Sequence, residues 1–252
     1  MASHPGGYFG KRPHERDFVF DGLTAGMTDA WAGLISDWVT SIRNDLPQTW
    51  QQLYFEAPAW RFAIEPGLFG QSGWCGLLSA SADALGRCFP LTVLIPLEET
   101  VHHLVFRAAV EITLDALEMQ TMAFIEGHLS REDFNDVIAE QASLLARVPE
   151  GAGAHKPMQL DPDAMALRIS FARTDGEAII ADDPLVCAAT QVPAPEVPLS
   201  YWWQDGGATR PPELCIWRGL PKGRETGGFF TGEWERFGWR RGRIDPDLIL
   251  RP

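Results

Sequence analysis

Cysteines that lie close together in the sequence are absent from this chain of 252 residues. Its four cysteines, Cys75, Cys88, Cys187 and Cys215, are widely spaced. The sequence contains no Cys-x-x-Cys and no close cysteine–histidine spacing, so it lacks the ligand pattern of a structural zinc site and we expect no metal. All four cysteines stand among apolar residues. We therefore expect small buried thiols in a reducing compartment.

Long apolar runs are also missing. No segment approaches the about 18 consecutive apolar residues from which a transmembrane helix is built. The first residues, Met-Ala-Ser-His-Pro-Gly-Gly, do not have the charged and then apolar layout of a signal peptide. These two observations predict a cytoplasmic protein with no membrane insertion.

Positive charge is scarce, because 21 lysines and arginines face 34 aspartates and glutamates, for a net charge of −13. A protein that binds nucleic acid through its phosphates is usually basic, so we expect no nucleic-acid partner. The segment 236–243, Arg-Phe-Gly-Trp-Arg-Arg-Gly-Arg, interleaves arginines with aromatic residues, as some single-strand binders do. On an acidic protein, a strand or tail that pairs with acidic surface is the favoured interpretation.

Complete catalytic motifs do not occur either. The segment around Ser72, Gly-Gln-Ser-Gly-Trp, departs from Gly-x-Ser-x-Gly, and the glycine-rich turn 67–73 departs from Gly-x-Gly-x-x-Gly. A single Glu99-x-x-His102 is half of the pattern that a di-iron bundle needs. We therefore expect no enzyme and no cofactor. A hydrolase or small-anion-binding enzyme at turn 67–73, with Asp83, His102 or His103 as acid or base, is the alternative hypothesis.

What the sequence does have is a clear alternation of secondary-structure signals. Apolar residues recur at helical spacing from Met27 to Leu46, with Thr28 as a candidate N-cap, and again across 100–148. Strand-like runs separate and follow these helices, and the last strands before residue 100 are apolar throughout, as strands covered on both faces are. The strand predictions fall at 6–11, 17–20, 60–64, 74–81, 88–97, 165–172, 199–204 and 213–220.

This pattern predicts an α+β (α/β-like) fold, in which a mixed, largely antiparallel sheet packs against helices. The segment Pro149–Pro157 is rich in glycine and is the clearest linker in the chain. We therefore predict a domain over residues 1–150 and a smaller strand-containing C-terminal part over residues 151–252, packed on the first and built on its own small sheet.

Two arginines stand in unusually apolar surroundings. Arg61 lies in Pro-Ala-Trp-Arg-Phe-Ala-Ile, and Arg87 lies in Leu-Gly-Arg-Cys-Phe-Pro-Leu. A buried guanidinium without a counter-ion is costly, so each arginine should be paired, with Asp17 and Asp83 as the acidic candidates. An ion pair that fixes strands and turns is the favoured interpretation, and an anion or partner site is the alternative. Gly86 should allow a tight turn into the strand, and Pro90 should stand at the beginning of that strand.

Four segments, taken in order, resemble the TagF family of proteins associated with bacterial type VI secretion. They are Tyr8–Phe18, Ala57–Phe62, Asp83–Thr92 and Ser200–Gln204. The third, Asp-x-x-Gly-Arg-x-Phe-Pro-Leu-Thr, is the most specific of them. The resemblance assigns structural or partner-binding roles to Asp17, Phe18, Trp60, Arg61, Asp83, Gly86, Arg87, Pro90, Trp202 and Trp203.

The resemblance also implies a function. TagF-like proteins are non-enzymatic, post-translational repressors of type VI secretion. They act in the cytoplasm by binding a component of the apparatus, and a forkhead-associated scaffold protein is the suspected partner. We accordingly expect a regulatory binding protein that uses no cofactor.

Overall fold

The computed structural model of the chain describes residues 6–97, 108–147, 166–170 (backbone only), 198–206 and 210–239. Within them, eight strands and several helices form a sheet covered by helices, and the predicted α+β class is confirmed. The strands are β1 (Gly7–Gly10), β2 (Val19–Asp21), β3 (Trp60–Ile64), β4 (Gly73–Ser79), β5 (Leu91–Leu97), β6 (Ala166–Ser170), β7 (Leu199–Gln204) and β8 (Glu213–Arg218). The helices are α1 (Ala25–Asp45), α2 (Trp50–Glu56), α3 (Ala108–Ile125), α4 (Arg131–Leu145) and the short α5 (Gly227–Thr231).

The strands form one sheet in the order β2-β1-β5-β4-β3-β7-β8-β6. Every pairing among the described strands is antiparallel. Among the described strands, those that follow residue 150 do not form the separate second sheet that was expected, because β7 pairs directly with β3 and continues the first sheet. The domain boundary near residue 150 stays a prediction, and the linker Pro149–Pro157 lies outside the described residues.

Helix α1 begins earlier than the sequence pattern indicates. Its N-cap is Thr24, whose hydroxyl accepts a hydrogen bond from the amide of Met27, whereas Thr28 lies inside the helix. The apolar spacing starts only at Met27, which explains why Thr28 was the wrong choice. The helix ends before Pro47, as expected, with Leu46 as its C-cap.

Alternating side chains of the strands feed two separate cores. On one face of the sheet, residues such as Tyr8, Val93 and Trp203 pack against α3 and α4. On the other face, residues such as Phe62 and Trp202 pack against α1, α2 and the C-terminal segment. The middle strands β4 and β5 are therefore buried on both sides over most of their length, which confirms the interpretation of their continuous apolar character.

The tryptophans of the second core are anchored by their indole N–H groups. Trp31 donates to the hydroxyl of Thr92 at 2.9 Å, and Trp38 donates to the carbonyl of Pro221 at 2.7 Å. Each buried indole thus keeps a partner for its polar atom while its ring fills the core. Near the C-terminal end of the described residues, α5 is followed by a 3-10 turn at Trp234–Phe237, and both elements contribute aromatic side chains to this core.

The cysteines within the described ranges are free thiols that differ in burial. Cys75 and Cys215 are buried, whereas Cys88 is half-buried, so the expectation of full burial was wrong for Cys88. Cys187 lies outside the described residues. Burial raises the pKa of the Cys75 thiol to about 12, which makes it unreactive at neutral pH.

Candidate functional site

The most specific motif of the sequence folds around the carboxylate of Asp83. Its Oδ2 accepts hydrogen bonds from Lys11 Nζ at 2.8 Å and from Arg87 Nε at 2.6 Å, and the carboxylate itself has no exposed surface. Its Oδ1 accepts from the backbone amides of Leu85 and Arg87. We call Lys11, Asp83 and Arg87 the Asp83 centre. It contains the predicted ion pair between Arg87 and Asp83, and adds Lys11 to it.

The backbone of this motif forms a tight turn at Gly86. Gly86 has a φ of +77°, in the left-handed region that favours glycine, and its amide donates to the carbonyl of Asp83 at 2.9 Å. The strand β5 then begins at Leu91, one residue after the buried Pro90. The chain therefore makes a tight turn at Gly86, and Pro90 lies immediately before the strand, one position outside the start at which it was predicted.

The electrostatics of Asp83 are those of a structural anion. Burial alone would raise the pKa of the carboxyl group, but the hydrogen bonds from Lys11, Arg87 and the turn amides hold its pKa well below the usual range. Asp83 is thus a permanently charged acceptor at neutral pH. With its oxygens already occupied by donors, it is poorly suited to serve as a general base.

The Asp83 centre joins two loops that are far apart in sequence. The hydroxyl of Ser81 donates to the carbonyl of Lys11 at 2.7 Å, the amide of Ala84 donates to the carbonyl of Glu15 at 2.8 Å, and Arg87 donates to the carbonyl of Arg16. The first and third motif segments of the sequence are therefore brought into one surface region.

Phe18 forms the aromatic part of this region. Its ring stacks on Phe9 at 5.0 Å between centroids and meets the edge of Phe89 at 4.9 Å, and Lys11 Nζ lies 5.0 Å from its centroid. Phe18 remains 36% exposed. Asp17 is exposed and accepts a hydrogen bond from the amide of Phe18, so it orders the loop but pairs with neither Arg61 nor Arg87.

A second set of contacts ties the first loop to the turn between α3 and α4. Arg131 forms two hydrogen bonds to the carboxylate of Glu15, and Arg12 donates to the carbonyl of Leu129 at 3.2 Å. His14 lies against Gly127, where an added Cβ would come within 2.7 Å of its ring nitrogen. The loop at 11–16 is therefore fixed from both sides.

Arg61 occupies a different environment, on the α3 face of the sheet. Its guanidinium, only 3% exposed as a residue, contacts the carboxylates of three α3 residues and of Asp205, which follows β7. The distance is 2.5 Å to Asp115, 3.2 Å to Glu118 and 2.7 Å to Asp205, and Glu111 is the fourth partner. We call these five residues the Arg61 centre. The expectation that Arg61 pairs with Asp17 or Asp83 was wrong.

Four carboxylates around one guanidinium leave an excess of negative charge. Burial raises the pKa of Glu111 to about 7, and Arg61 only partly offsets this shift. Burial likewise raises the pKa values of Glu118 and Asp205. Glu111, Glu118 and Asp205 therefore bind a proton more readily than free carboxyl groups do, in contrast to Asp83.

The sequence contains a pattern from which three of the acidic residues around Arg61 could have been predicted. Glu111, Asp115 and Glu118 are spaced at i, i+4 and i+7, so they form one acidic stripe along α3. That stripe indicates a cationic partner on the facing strand. Lys11 was missed for a different reason, since nothing in its own segment indicates a contact with residue 83.

The remaining predicted site residues are core residues. Trp202 and Trp203 point to opposite faces of the sheet, and the indole of Trp203 donates to Glu111 at 3.0 Å. Trp60 donates to the carbonyl of Phe229 at 3.0 Å and is 2% exposed. None of these three indoles contributes a free surface to the Asp83 centre.

Turn 67–73 has the geometry of a structural turn. The amide of Gly67 donates to the carbonyl of Gly70 at 2.8 Å, and the indole of Trp74 donates to the carbonyl of Phe69. Of the acid–base candidates for this turn, Asp83 is held in ion pairs, while His102 and His103, like Glu99, lie outside the described residues. Within the described ranges, no three histidine, cysteine or acidic side chains lie close enough together to hold a metal ion.

The class of protein defined by these features is an α+β domain whose loops are fixed by buried ion pairs. The family described as "TagF N-terminal domain, Type VI secretion system-associated" matches residues 7–141, more than half of the chain. The chain therefore belongs to the TagF family of type VI secretion-associated proteins.

A solved structure supports the same assignment of fold. The crystal structure of PA0076 from Pseudomonas aeruginosa PAO1 superposes with a TM-score of 0.60 at 25% sequence identity, over 90% of this chain and 94% of that chain. A comparison with curated proteins gave no match. Among the helices of the described residues, none combines the length and apolar character needed to cross a membrane.

Proposed function

We propose that this protein restrains type VI secretion post-translationally, by binding a component of the apparatus in the cytoplasm. A forkhead-associated scaffold protein is the proposed partner, and the proposed role is non-enzymatic. The observation that carries the proposal is the family match over residues 7–141. Because repression by binding follows mass action, it should depend on the ratio of this protein to its partner.

The surface around the Asp83 centre supports a role in binding. Leu85 is 63% exposed at the tip of the turn, and Phe20 is 57% exposed on the edge strand β2 beside Phe18. Leu85 stands on a turn that is held by ion pairs and hydrogen bonds, and Phe20 stands on a strand that is paired with β1. Rigid exposed apolar residues bind a partner with little loss of conformational freedom.

The test combines a secretion assay with a binding assay. Overexpression of the protein should abolish secretion of a type VI substrate, and the tagged protein should co-purify with the forkhead-associated protein from the same cells. Leu85→Asp should weaken both effects by about tenfold, as loss of an apolar contact residue typically does. The matched control is Leu144→Asp, on the exposed face of α4, which should leave both unchanged. Unchanged secretion on overexpression, together with no co-purified secretion component, would refute the proposal.

A further inference from the structure

An open groove of about 750 Å³ lies between the helical pair α1–α2 and the turn that follows Asp83. One wall consists of Arg43 and Asn44 at the end of α1, and the opposite wall of Gly86 and Arg87. Trp50 and Gln51 of α2 and the half-buried Cys88 complete its lining. The amide of Gln51 reaches the sulfur of Cys88 at 3.7 Å, which connects the two walls.

The charge of this groove is opposite to that of the whole protein. The protein carries a net charge of −13, yet none of the described residues that line the groove is acidic, and its charged side chains are Arg43 and Arg87. Within the described part of the chain, Arg43 forms no ion pair. Two cations facing one concave surface on an acidic protein attract an anionic partner to that place and repel it elsewhere.

The two arginines differ in how they are held. Arg87 is fixed by Asp83 through Nε and by the carbonyl of Arg16, although its side chain is 56% exposed. Arg43 is exposed, and its side chain has no hydrogen bond or ion pair with the described residues, so it can adjust to a ligand. Trp50 supplies an aromatic surface, and Asn44 and Gln51 supply amide donors. The groove thus offers a fixed cation, an adjustable cation and an apolar floor.

We propose that this groove binds an acidic segment of a protein partner, with carboxylates on Arg43 and Arg87 and an apolar side chain against Trp50. The identity of that partner as a secretion component rests on the function proposed above, whereas the chemistry of the groove does not. The two proposals can therefore fail separately.

The first test is a peptide-binding experiment on the full chain. The probe is a fluorescein-labelled peptide of alternating glutamate and leucine, and the reference peptide has glutamine in place of glutamate. Fluorescence anisotropy at low salt should show about tenfold tighter binding of the glutamate peptide, weakened by added salt. Arg43→Glu should weaken its binding by about tenfold or more, with unchanged circular dichroism. Arg147→Glu, an exposed arginine after α4 and away from the groove, is the matched control and should bind as the wild type does.

Three results would overturn the proposal: equal binding of both peptides, unchanged binding by Arg43→Glu, or an equal loss in Arg147→Glu. The secretion assay separates the two proposals. If the wild-type protein fails to repress secretion while the peptide results are as expected, the proposed binding groove is supported and the proposed function is refuted. In the opposite case, the wild type represses secretion, and Arg43→Glu represses secretion and binds the peptide as well as the wild type does. The proposed function is then supported and the proposed binding groove is refuted.

Discussion

The Asp83 centre and the Arg61 centre each stabilise a buried charge, but they differ in the ratio of negative to positive groups. One carboxylate is surrounded by two cations and two backbone amides at Asp83, whereas one guanidinium is surrounded by four carboxylates at Arg61. The first arrangement saturates its anion and keeps it ionised. The second leaves surplus negative charge on partly buried acids.

The difference also concerns what each centre joins. The Asp83 centre connects two surface loops, so it fixes the shape of the surface that these loops form. The Arg61 centre connects the middle of the sheet to α3 and to the end of β7, so its energy is used to assemble the fold. We therefore expect changes at Arg61 to affect folding, and changes at Asp83 to affect mainly the loops.

Removal of the Arg61 guanidinium should cause the largest loss of stability. Arg61→Met keeps much of the side-chain volume but leaves four carboxylates without their cation, and we expect a loss of about 3 kcal/mol in the free energy of unfolding at neutral pH. Because protonation relieves the repulsion among the acids, the loss should shrink as the pH is lowered towards about 5. Urea unfolding at several pH values measures both. A loss that stays constant across this range would show that the carboxylates are not the reason for the cost.

How far the sequence predicts these two centres depends on the separation of the residues. The contact between Asp83 and Arg87 spans four residues, and the tight turn at Gly86 is visible in the sequence itself, so this pair could be predicted. Glu111 and Asp205 reach Arg61 only because α3 lies on that face and β7 pairs with β3 so that Trp203 stands opposite Arg61. Such a register follows from the whole fold, and no local pattern contains it.

The same reasoning explains the fold predictions. Helix α1 has a strong periodic signal and ends before Pro47, and the strands of 60–97 are short apolar runs separated by turn residues, so their existence was predicted correctly. The continuation of one sheet from β3 into β7 joins segments more than a hundred residues apart, and the glycine-rich segment between them indicated a break instead. Pairing across such a distance has no signature in either strand alone.

A loss of stability of intermediate size is expected when the charge of Asp83 is removed. Asp83→Asn retains an oxygen for the amides of Leu85 and Arg87, but leaves the ammonium of the buried Lys11 without its counter-ion. The loss of stability should be smaller than at Arg61 and should stay constant from neutral pH down to about pH 5, because a carboxyl group with a lowered pKa remains charged throughout.

Thermal unfolding at several pH values measures this, with the exposed Asp17→Asn as the matched control, which should behave as the wild type. A loss that shrinks as the pH rises from about 5 through neutrality would mean that the folded-state pKa of Asp83 is raised, and that Asp83 is not held in its ionised form.

The smallest effect concerns the pH dependence of stability. Because burial raises the folded-state pKa of Glu111 to about 7, above its unfolded value of 4.5, its protonation stabilises the folded protein. That contribution is fully present below the unfolded value and is lost as the pH rises through about 7. Glu111→Gln cannot ionise, so its stability should fall by about 2 kcal/mol less than that of the wild type between about pH 5 and about pH 8. The substitution also removes one of the oxygens that accept from Arg61 and Trp203, which should lower stability by an amount that does not depend on pH. Urea unfolding across this pH range separates the pH-dependent difference in the free energy of unfolding from the pH-independent loss. If the free energies of unfolding of the two proteins change in parallel with pH, Glu111 is already ionised at pH 5.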